Sequence, residues 1–353
     1  MNSAASDLTG MTLDGGWEVL GKIDGPEDRS GGVFSVGYLV RRADGHMAFC
    51  KALDYSAAFA DDVADTEEEL RRLTDAYLFE RDLGRRCGDL KLNRVVRALG
   101  HGRIRVPDHP YGVVSYLLFE LAHGDARDAL DAVDPEKGDG YETALRLAHD
   151  CAVALTQLHM IDVTHQDVKP ANLMGWQTDR GWRGKLGDLG RAHCLTIPSP
   201  NDETMCPGDT AWAPSELLYQ WPFRNMASDR RASDAFGLGA LFCYMLIGIP
   251  YGGLLALHLP EELRIGQWTG GYLDVLPYLI DAHGVAMQRL STVLEEPLRE
   301  AAVAIVSELC NPDIERRGDP TAQSRGHRPL DLRRYATRLD LLRRRAAIAR
   351  AHG

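Results

Sequence analysis

Four side chains in the middle of this 353-residue sequence have types and spacing that could carry out phosphoryl transfer. Val163–Asn172 reads VTHQDVKPAN, with Asp167, Lys169 two residues on and Asn172 five residues on; LGDLG at Leu186–Gly190 then places Asp188 sixteen residues beyond Asn172. Moving a γ-phosphoryl group takes a carboxylate that orients and accepts the proton of the attacking hydroxyl, a cation on the transferred phosphate, and charge neutralisation by Mg²⁺. Asp167, Lys169, Asn172 and Asp188 could supply those parts. Taken singly, an Asp or Asn in a Gly/Pro-rich stretch reads as a turn residue or helix cap. The joint pattern is different: a loop H-x-D-x-K-P-x-N, a hydrophobic strand, then D-x-G at an apolar strand end is hard to obtain from capping needs alone.

These motifs resemble those of protein kinases, in particular the eukaryotic-like (Hanks-type) serine/threonine kinases in their bacterial style. The family's catalytic loop reads H-R-D-x-K-P-x-N or a close variant, and its D-F-G motif supplies a metal-holding Asp. Carried over residue by residue, the resemblance implies Asp167 as catalytic base, Lys169 on the γ-phosphate, and Asn172 with Asp188 on Mg²⁺, with ATP as phosphoryl donor. It implies an α+β, bilobal fold: a small antiparallel β-sheet lobe with one helix, then a mainly helical lobe. His165 matches the family His as a packed residue. Gln166 takes the place of the usual Arg and Leu189 that of the usual Phe. Because that Arg often pairs with a phosphorylated loop residue in the family, Gln166 implies activity without strict dependence on activation-loop phosphorylation.

The elements that must position these residues can be followed along the chain. Residues 1–16 are small, polar and Gly-rich and read as a flexible tail. WEVLGKI at Trp17–Ile23 and strand character at Val36–Val40 predict a hairpin around glycines. By resemblance this is a degenerate glycine-rich phosphate loop, with Gly32 and Phe34 at the second glycine and the loop aromatic, and Ser35 where the third glycine is expected. MAFCKAL at Met47–Leu53 reads as a strand with one charge, Lys51, which is costly to bury unless paired with anions. Asp54 to Glu69 holds seven acidic residues and no Lys or Arg, and reads as a solvated insert. A helix over Glu69–Cys87 follows, with Glu80 as the partner of Lys51 and Glu69 as the fallback, and then a strand at Val95–Leu99.

Tyr111–Leu121, YGVVSYLLFEL, is a strongly apolar strand, and the switch to AHGDARDAL marks a link between lobes. By resemblance this is a hinge, with Phe119 beside the adenine, the backbone of Glu120 and Ala122 on its edge, and Asp125 a ribose contact. Helical periodicity over Tyr141–Met160 delivers the catalytic loop. CPGDTAWAPSELL at Cys206–Leu218 resembles the end of the family's activation segment. Glu216 is then the structural acid, paired with Arg316 or Arg317, and Thr210 the residue that bonds Asp167 and Lys169. Asp234 heads the hydrophobic helix Ser233–Gly248, where the family Asp bonds the backbone of the catalytic loop. The resulting organisation is a tail at 1–16, an ATP-binding lobe at 17–121, a catalytic lobe at 122–318 and an Arg-rich helical extension at 319–353. That extension carries an apolar stripe of Leu332, Tyr335, Leu339 and Leu342 suited to packing on the large lobe.

Composition narrows the alternatives. A net charge of −11 argues against a nucleic-acid binder, which needs basic surface to offset phosphate charge. Seven cysteines without a C-x-x-C pair suggest neither a disulfide framework nor a zinc site. No secretory leader or membrane span is readable, so a cytoplasmic location without a membrane anchor is expected. The partners expected are protein substrates with Ser/Thr acceptors. Two rivals remain: a small-molecule phosphotransferase of the aminoglycoside- or choline-kinase type, and a pseudokinase scaffold that binds nucleotide without turnover. Lys169-Pro170, the A-P-S-E stretch and the Asp234 helix weigh against the first, and the full set of catalytic side chains against the second.

Overall fold

The computed structural model describes residues 3–23, 35–59, 63–107, 109, 112–133 and 140–352. Gly32, Phe34 and Tyr111 lie outside the described residues. The chain divides into two compact units. The first comprises residues 1–122 together with Asp188–Gly190 and Ile197–Pro200; the second comprises His123–Gly187, Arg191–Thr196 and Asn201–Gly353. The expected α+β organisation holds, with an antiparallel sheet and a long helix in the first unit and a mainly helical second unit.

In the first unit, strands β1 (Thr12–Leu13), β2 (Trp17–Lys22), β3 (Ser35–Arg42), β4 (Met47–Leu53), β5 (Ala98–Arg105) and β6 (Val113–Glu120) form one sheet in the order β1-β2-β3-β4-β6-β5, every neighbouring pair antiparallel. Alternation does the sorting: Tyr38, Val40, Ala48, Cys50 and Ala52 face the core, and their neighbours on β3 and β4 face the other way. Helix α1 (Thr66–Asp89) buries Leu73, Tyr77, Leu83 and Cys87.

Three expectations for this unit are corrected. Residues 3–13 are not a loose tail: Ala5, Leu8 and Leu13 are buried in the sheet's core cluster, and the Tyr38 hydroxyl donates to the Ala5 carbonyl at 2.7 Å. Gly10 and Val19 further tie the stretch to β2 through Gly10 N–H to Val19 O and Val19 N–H to Met11 O. A few small apolar residues suffice to close one side of a small sheet, even in a stretch whose composition reads as tail. The acidic stretch is shorter than expected as an insert, because Asp65 caps α1 by accepting from the Glu68 N–H, and Glu67, Glu68 and Glu69 form its first turn. Carboxylates there face the positive end of the helix dipole. The strand expected at Val95–Leu99 begins only at Ala98 and runs on to Arg105, through Gly and Arg residues that carry little strand signal.

The second unit opens with β7 (Gly124–Asp125), α2 (Ala126–Asp131) and α3 (Gly140–Met160), then β8 (Val163–Thr164), β9 (Leu173–Thr178), β10 (Gly181–Leu186) and β11 (His193–Cys194). Small sheets β10-β9-β7 and β11-β8 brace the catalytic-loop stretch. Helices α4 (Ser215–Leu218), α5 (Met226–Ile247), α6 (Tyr251–Ala256), α7 (Tyr272–Val293), α8 (Arg299–Leu309), α9 (Pro320–Ser324) and α10 (Leu332–His352) follow. Asp234 does not head its helix. Asn225 caps α5, its side chain accepting from the Ser228 N–H, and Gly248 ends the helix in the left-handed conformation. Tyr251–Gly253 starts α6. Leu332, Tyr335, Leu339 and Leu342 of α10 are buried, and Arg338 pairs with Glu308 of α8 while Arg350 reaches Glu142 of α3. No helix among the described residues is long and apolar enough to cross a membrane.

Two buried titratable groups bear on the stability of this unit. Arg317, fully buried, forks onto Glu216 with Nη1 to Oε1 at 2.6 Å and Nη2 to Oε2 at 2.7 Å, while Arg316 is exposed and pairs with Asp313. Burial disfavours the Arg317 charge, but Glu216 outweighs it and raises the Arg317 pKa. His283 is buried between the Tyr251 hydroxyl, 2.7 Å from its Nδ1, and the Ser307 hydroxyl, 3.1 Å from its Nε2. Burial, with the charge of Arg317, lowers its pKa to about 4.

Replacing Glu216 with Gln should strand the buried guanidinium and lower the unfolding free energy by about 3–5 kcal/mol, read from urea melts. His283 should make the protein pH-sensitive. Its folded pKa, about 4, lies below the unfolded value of about 6.5, so its contribution is present above pH 6.5 and is lost as pH falls toward 4. The loss approaches about 3 kcal/mol at the acid end. Urea midpoints across that window should therefore fall more steeply for the wild type than for His283→Gln.

Candidate active site

In the first unit, Lys51 sits on β4 with its side chain away from the apolar core, and Glu80 lies on α1. Lys51 Nζ donates to both Glu80 oxygens, at 3.0 and 2.9 Å, and to Asp188 Oδ1 at 2.9 Å. Burial disfavours a lysine charge, but Asp188 and Glu80 outweigh it and raise the Lys51 pKa above the ordinary value. Glu69, the fallback partner, is instead paired with Arg72 one turn along α1. Asp188 holds its backbone at φ 55°, a left-handed conformation uncommon outside glycine. Gly190 lies close by, the position of its missing Cβ being 3.5 Å from both Asp188 Oδ1 and Glu80 Oε2.

Ser35 begins β3, opposite Leu53, and Phe119 and Glu120 end β6. The Glu120 N–H donates to Arg97 O at 3.0 Å, and its carboxylate accepts from the Arg97 N–H at 2.8 Å. Ala122 is the last residue of this run of the first unit and is half-buried.

In the second unit, Asp125 is the N-cap of α2, accepting from the Arg127 and Asp128 N–H groups, and it also takes the Arg127 guanidinium at 2.7 Å. A ribose hydroxyl would have to displace Arg127 to reach that carboxylate.

The catalytic-loop stretch is held by a single buried carboxylate. Asp234, from the middle of α5, accepts the His165 N–H at 2.9 Å, the Gln166 N–H at 2.8 Å, the Gln166 side-chain amide at 3.2 Å and His159 Nε2 at 2.8 Å. Burial raises an acid's pKa, yet the His159 hydrogen bond and the loop's backbone donor outweigh it and hold Asp234 below the usual carboxylate range. The turn this creates puts Gln166 at φ 65°. His165 is buried, its Nε2 donating to Gly187 O at 2.8 Å and its Nδ1 accepting from the Asp167 N–H at 3.3 Å. Those partners call for one N–H and one lone pair, which the neutral ring supplies, and they make His165 a strut.

Asp167 is thereby presented with both oxygens engaged. Oδ2 accepts from the Asn172 amide at 3.0 Å and lies 3.2 Å from Lys169 Nζ; Oδ1 accepts from the Asp209 N–H at 2.9 Å. The Asn172 amide also donates to Asp167 O at 2.8 Å, so its nitrogen is committed to Asp167 and its Oδ1 is the amide atom that could meet a cation. Amide and carboxylate oxygens suit a hard divalent ion, so the chemistry of Asn172, and of Asp188 in the first unit, fits such an ion.

Thr210 does not have the role expected of it. It is exposed, and the residue against the loop is Asp209, through its N–H on Asp167 and its carboxylate 3.6 Å from Lys169 Nζ. Gly208 explains the register: a Cβ there would lie 2.4 Å from Gln166 O and 2.9 Å from Asp167 Oδ1, so only glycine lets the chain approach closely enough for the next residue to make the contact. Asp209 was missed because a Thr was expected at the contact, although the adjacent glycine in GDT was a usable signal. Beyond it, Glu216 closes the segment on Arg317.

The protein kinase domain family model matches residues 105–322, well over half of the chain. Among curated proteins the chain is similar to Aurora/IPL1-related protein kinase 2 of Caenorhabditis elegans, 31% identical over 136 residues that cover 38% of this chain and 40% of that protein. It is also similar to serine/threonine-protein kinase DCLK1 of Rattus norvegicus, 33% identical over 136 residues, 38% of this chain and 29% of that protein. A third likeness is to serine/threonine-protein kinase/endoribonuclease IRE2 of Homo sapiens, 29% identical over 186 residues, 46% of this chain and 19% of that protein. The chain thus spans less than half the length of these relatives. The family match runs through the catalytic loop, the Asp209 contact and the Glu216–Arg317 pair, and this chain belongs to the protein kinase domain family.

Proposed function

We propose that the chain is a serine/threonine protein kinase that transfers the ATP γ-phosphoryl group to protein hydroxyls. Members of its family use ATP and a divalent metal, and Mg²⁺ is the proposed ion. The observation that carries the reading is the state of Asp167: a carboxylate oriented on both oxygens, with the Lys169 ammonium 3.2 Å away, in a loop fixed from below. A base so held can orient a hydroxyl and accept its proton, and the adjacent cation can offset charge on the transferred phosphoryl.

In the proposed mechanism Asp167 orients the acceptor hydroxyl and Lys169 steadies the γ-phosphate. Asn172 and Asp188 would hold Mg²⁺, which when bound neutralises phosphate charge. Lys51, kept in place by Glu80, positions the α- and β-phosphates, with Ser35 at the start of β3 proposed to face them. The backbone of Glu120 and Ala122 meets the adenine edge, and Asp125 takes the ribose only in exchange for Arg127. His165, Glu216 and Asp234 act as supports, and Asp209 takes over the role first assigned to Thr210. Basal transfer is proposed to need no phosphate on the activation segment, because Asp209 already holds it against Asp167. A small hollow beside Asp167, with room for little more than a water molecule, is walled by Cys206, Trp212, Pro214 and Leu217. The proposed setting is the cytoplasm, in keeping with cysteines that form no disulfide among the described residues.

Purified protein incubated with labelled ATP and Mg²⁺ should place label on Ser or Thr of a generic protein substrate. Asp167→Ala should lower the rate by about 10²–10⁴-fold, and Lys51→Met should lower it with little change in the fold measured by circular dichroism. Equal labelling by Asp167→Ala would contradict the reading, and label confined to an aminoglycoside or choline acceptor would move it to the small-molecule phosphotransferases.

A further inference from the structure

Lys51 projects from one face of the first unit's sheet, and its strand is held from the other face by a separate set of contacts. In the β3–β4 pairing Tyr38 stands opposite Cys50, and in the β4–β6 pairing Tyr116 stands opposite Ala52. The two tyrosines therefore flank the residues immediately before and after Lys51. Both belong to the core cluster, at 0% and 1% exposure. Cys50 and Ala52 are small, so most of the bulk that braces β4 on this face comes from the rings beside them.

Each ring ends on the N-terminal segment. The Tyr38 hydroxyl donates to Ala5 O at 2.7 Å and accepts from the Leu8 N–H at 3.4 Å, and the Tyr116 hydroxyl accepts from the Asp14 N–H at 3.0 Å. Gly102 stands opposite Tyr116 in the β5–β6 pairing, and a Cβ there would overlap both the Tyr116 hydroxyl and Asp14 Oδ2. Glycine on β5 is thus what lets Asp14 close on the ring. The segment is fixed in its own right, since Leu8 and Leu13 are buried and both Gly10 and Met11 bond Val19 of β2. Two hydroxyls tie the strands on either side of β4 to one stretch of chain.

We propose that residues 5–14 are a positioning element for Lys51, acting through Tyr38 and Tyr116 to set the spacing of β3, β4 and β6. The two tyrosines are positioning residues: their rings lie on the face of the sheet away from the lysine side chain and meet the N-terminal segment. Glu80 and Asp188 hold the ammonium end of Lys51, and the segment holds its backbone end. Removing a hydroxyl leaves the ring in the core but frees it from the segment, so the strands keep their order and lose their fixed spacing. A displaced Lys51 grips the non-reacting phosphates less well before and during transfer alike, which raises the KM for ATP. That effect rests on the kinase reading; the effect on β4 does not.

Full-length Tyr38→Phe, Tyr116→Phe and the double variant are compared with the wild type by two readouts. Hydrogen exchange of the amides of residues 48–52 needs no ATP, and it should quicken about tenfold or more in each single variant and further in the double. With labelled ATP, the KM for ATP should rise about threefold or more while the KM for the protein acceptor stays put; a variant that is merely less folded loses active enzyme and moves neither KM. Leu342→Ala, a core truncation on α10, is the control, and should lower the melting temperature without moving the KM for ATP. If the double variant does not fold, the single variants decide. Unchanged exchange at residues 48–52, an unmoved KM for ATP, or an equal rise in Leu342→Ala overturns the positioning role. A wild type that turns over no ATP defeats the kinase reading instead, and the exchange result then decides the positioning role alone.

Discussion

The contact on which the second unit depends is the carboxylate of Asp234. An ionised carboxylate buried without partners would cost many kcal/mol, and it persists only where donors surround it. Here it gathers two successive backbone N–H groups, a side-chain amide and an imidazole. The donors solve a second problem as well. A loop that turns sharply leaves its amides without ladder partners, and a buried orphan N–H costs about 1–3 kcal/mol. One side chain from a rigid helix therefore satisfies the loop and is satisfied by it, and Gln166 is held at a positive φ that a side-chain-bearing residue rarely adopts alone.

From that anchor the functional geometry follows by short steps. Gln166 turns, His165 is pinned to Gly187, and Asp167 emerges with its orientation decided. Asn172 and Lys169 engage one oxygen, and Asp209 the other. Glycine at 208 permits the close approach, and the buried Glu216–Arg317 fork ties down the far end of the same segment. His165, Asp167, Lys169 and Asn172 are all buried, and each is held by hydrogen bonds or ion pairs to its neighbours.

Much of this was legible in residue types because charged groups with fixed spacing have few innocent explanations. Lys51 in an apolar strand demanded anions and has two. Asp234 and Glu216 were readable only through the resemblance to the kinase motifs around them. What the sequence concealed were contacts made by backbone and by context. Asp209 contributes through its N–H, which every residue but proline has, so Thr210 looked as good. The N-terminal residues 3–13 read as tail because three small or apolar side chains, Ala5, Leu8 and Leu13, carry their docking. The start of α5 lay hidden in polar residues, since Asn225 and the charged turns after it show no apolar periodicity.

Asp234 holds the His165 and Gln166 amides and, through them, the orientation of Asp167. Hydrogen exchange of those two amides, resolved by NMR in the wild type and in Asp234→Asn, tests it most directly. The isosteric amide keeps the shape but replaces an acceptor oxygen with a donor. Protection at His165 and Gln166 should fall by about 100-fold or more, equivalent to about 3 kcal/mol of local stability, while the amides of α5 keep theirs. Unchanged protection at both positions would contradict it.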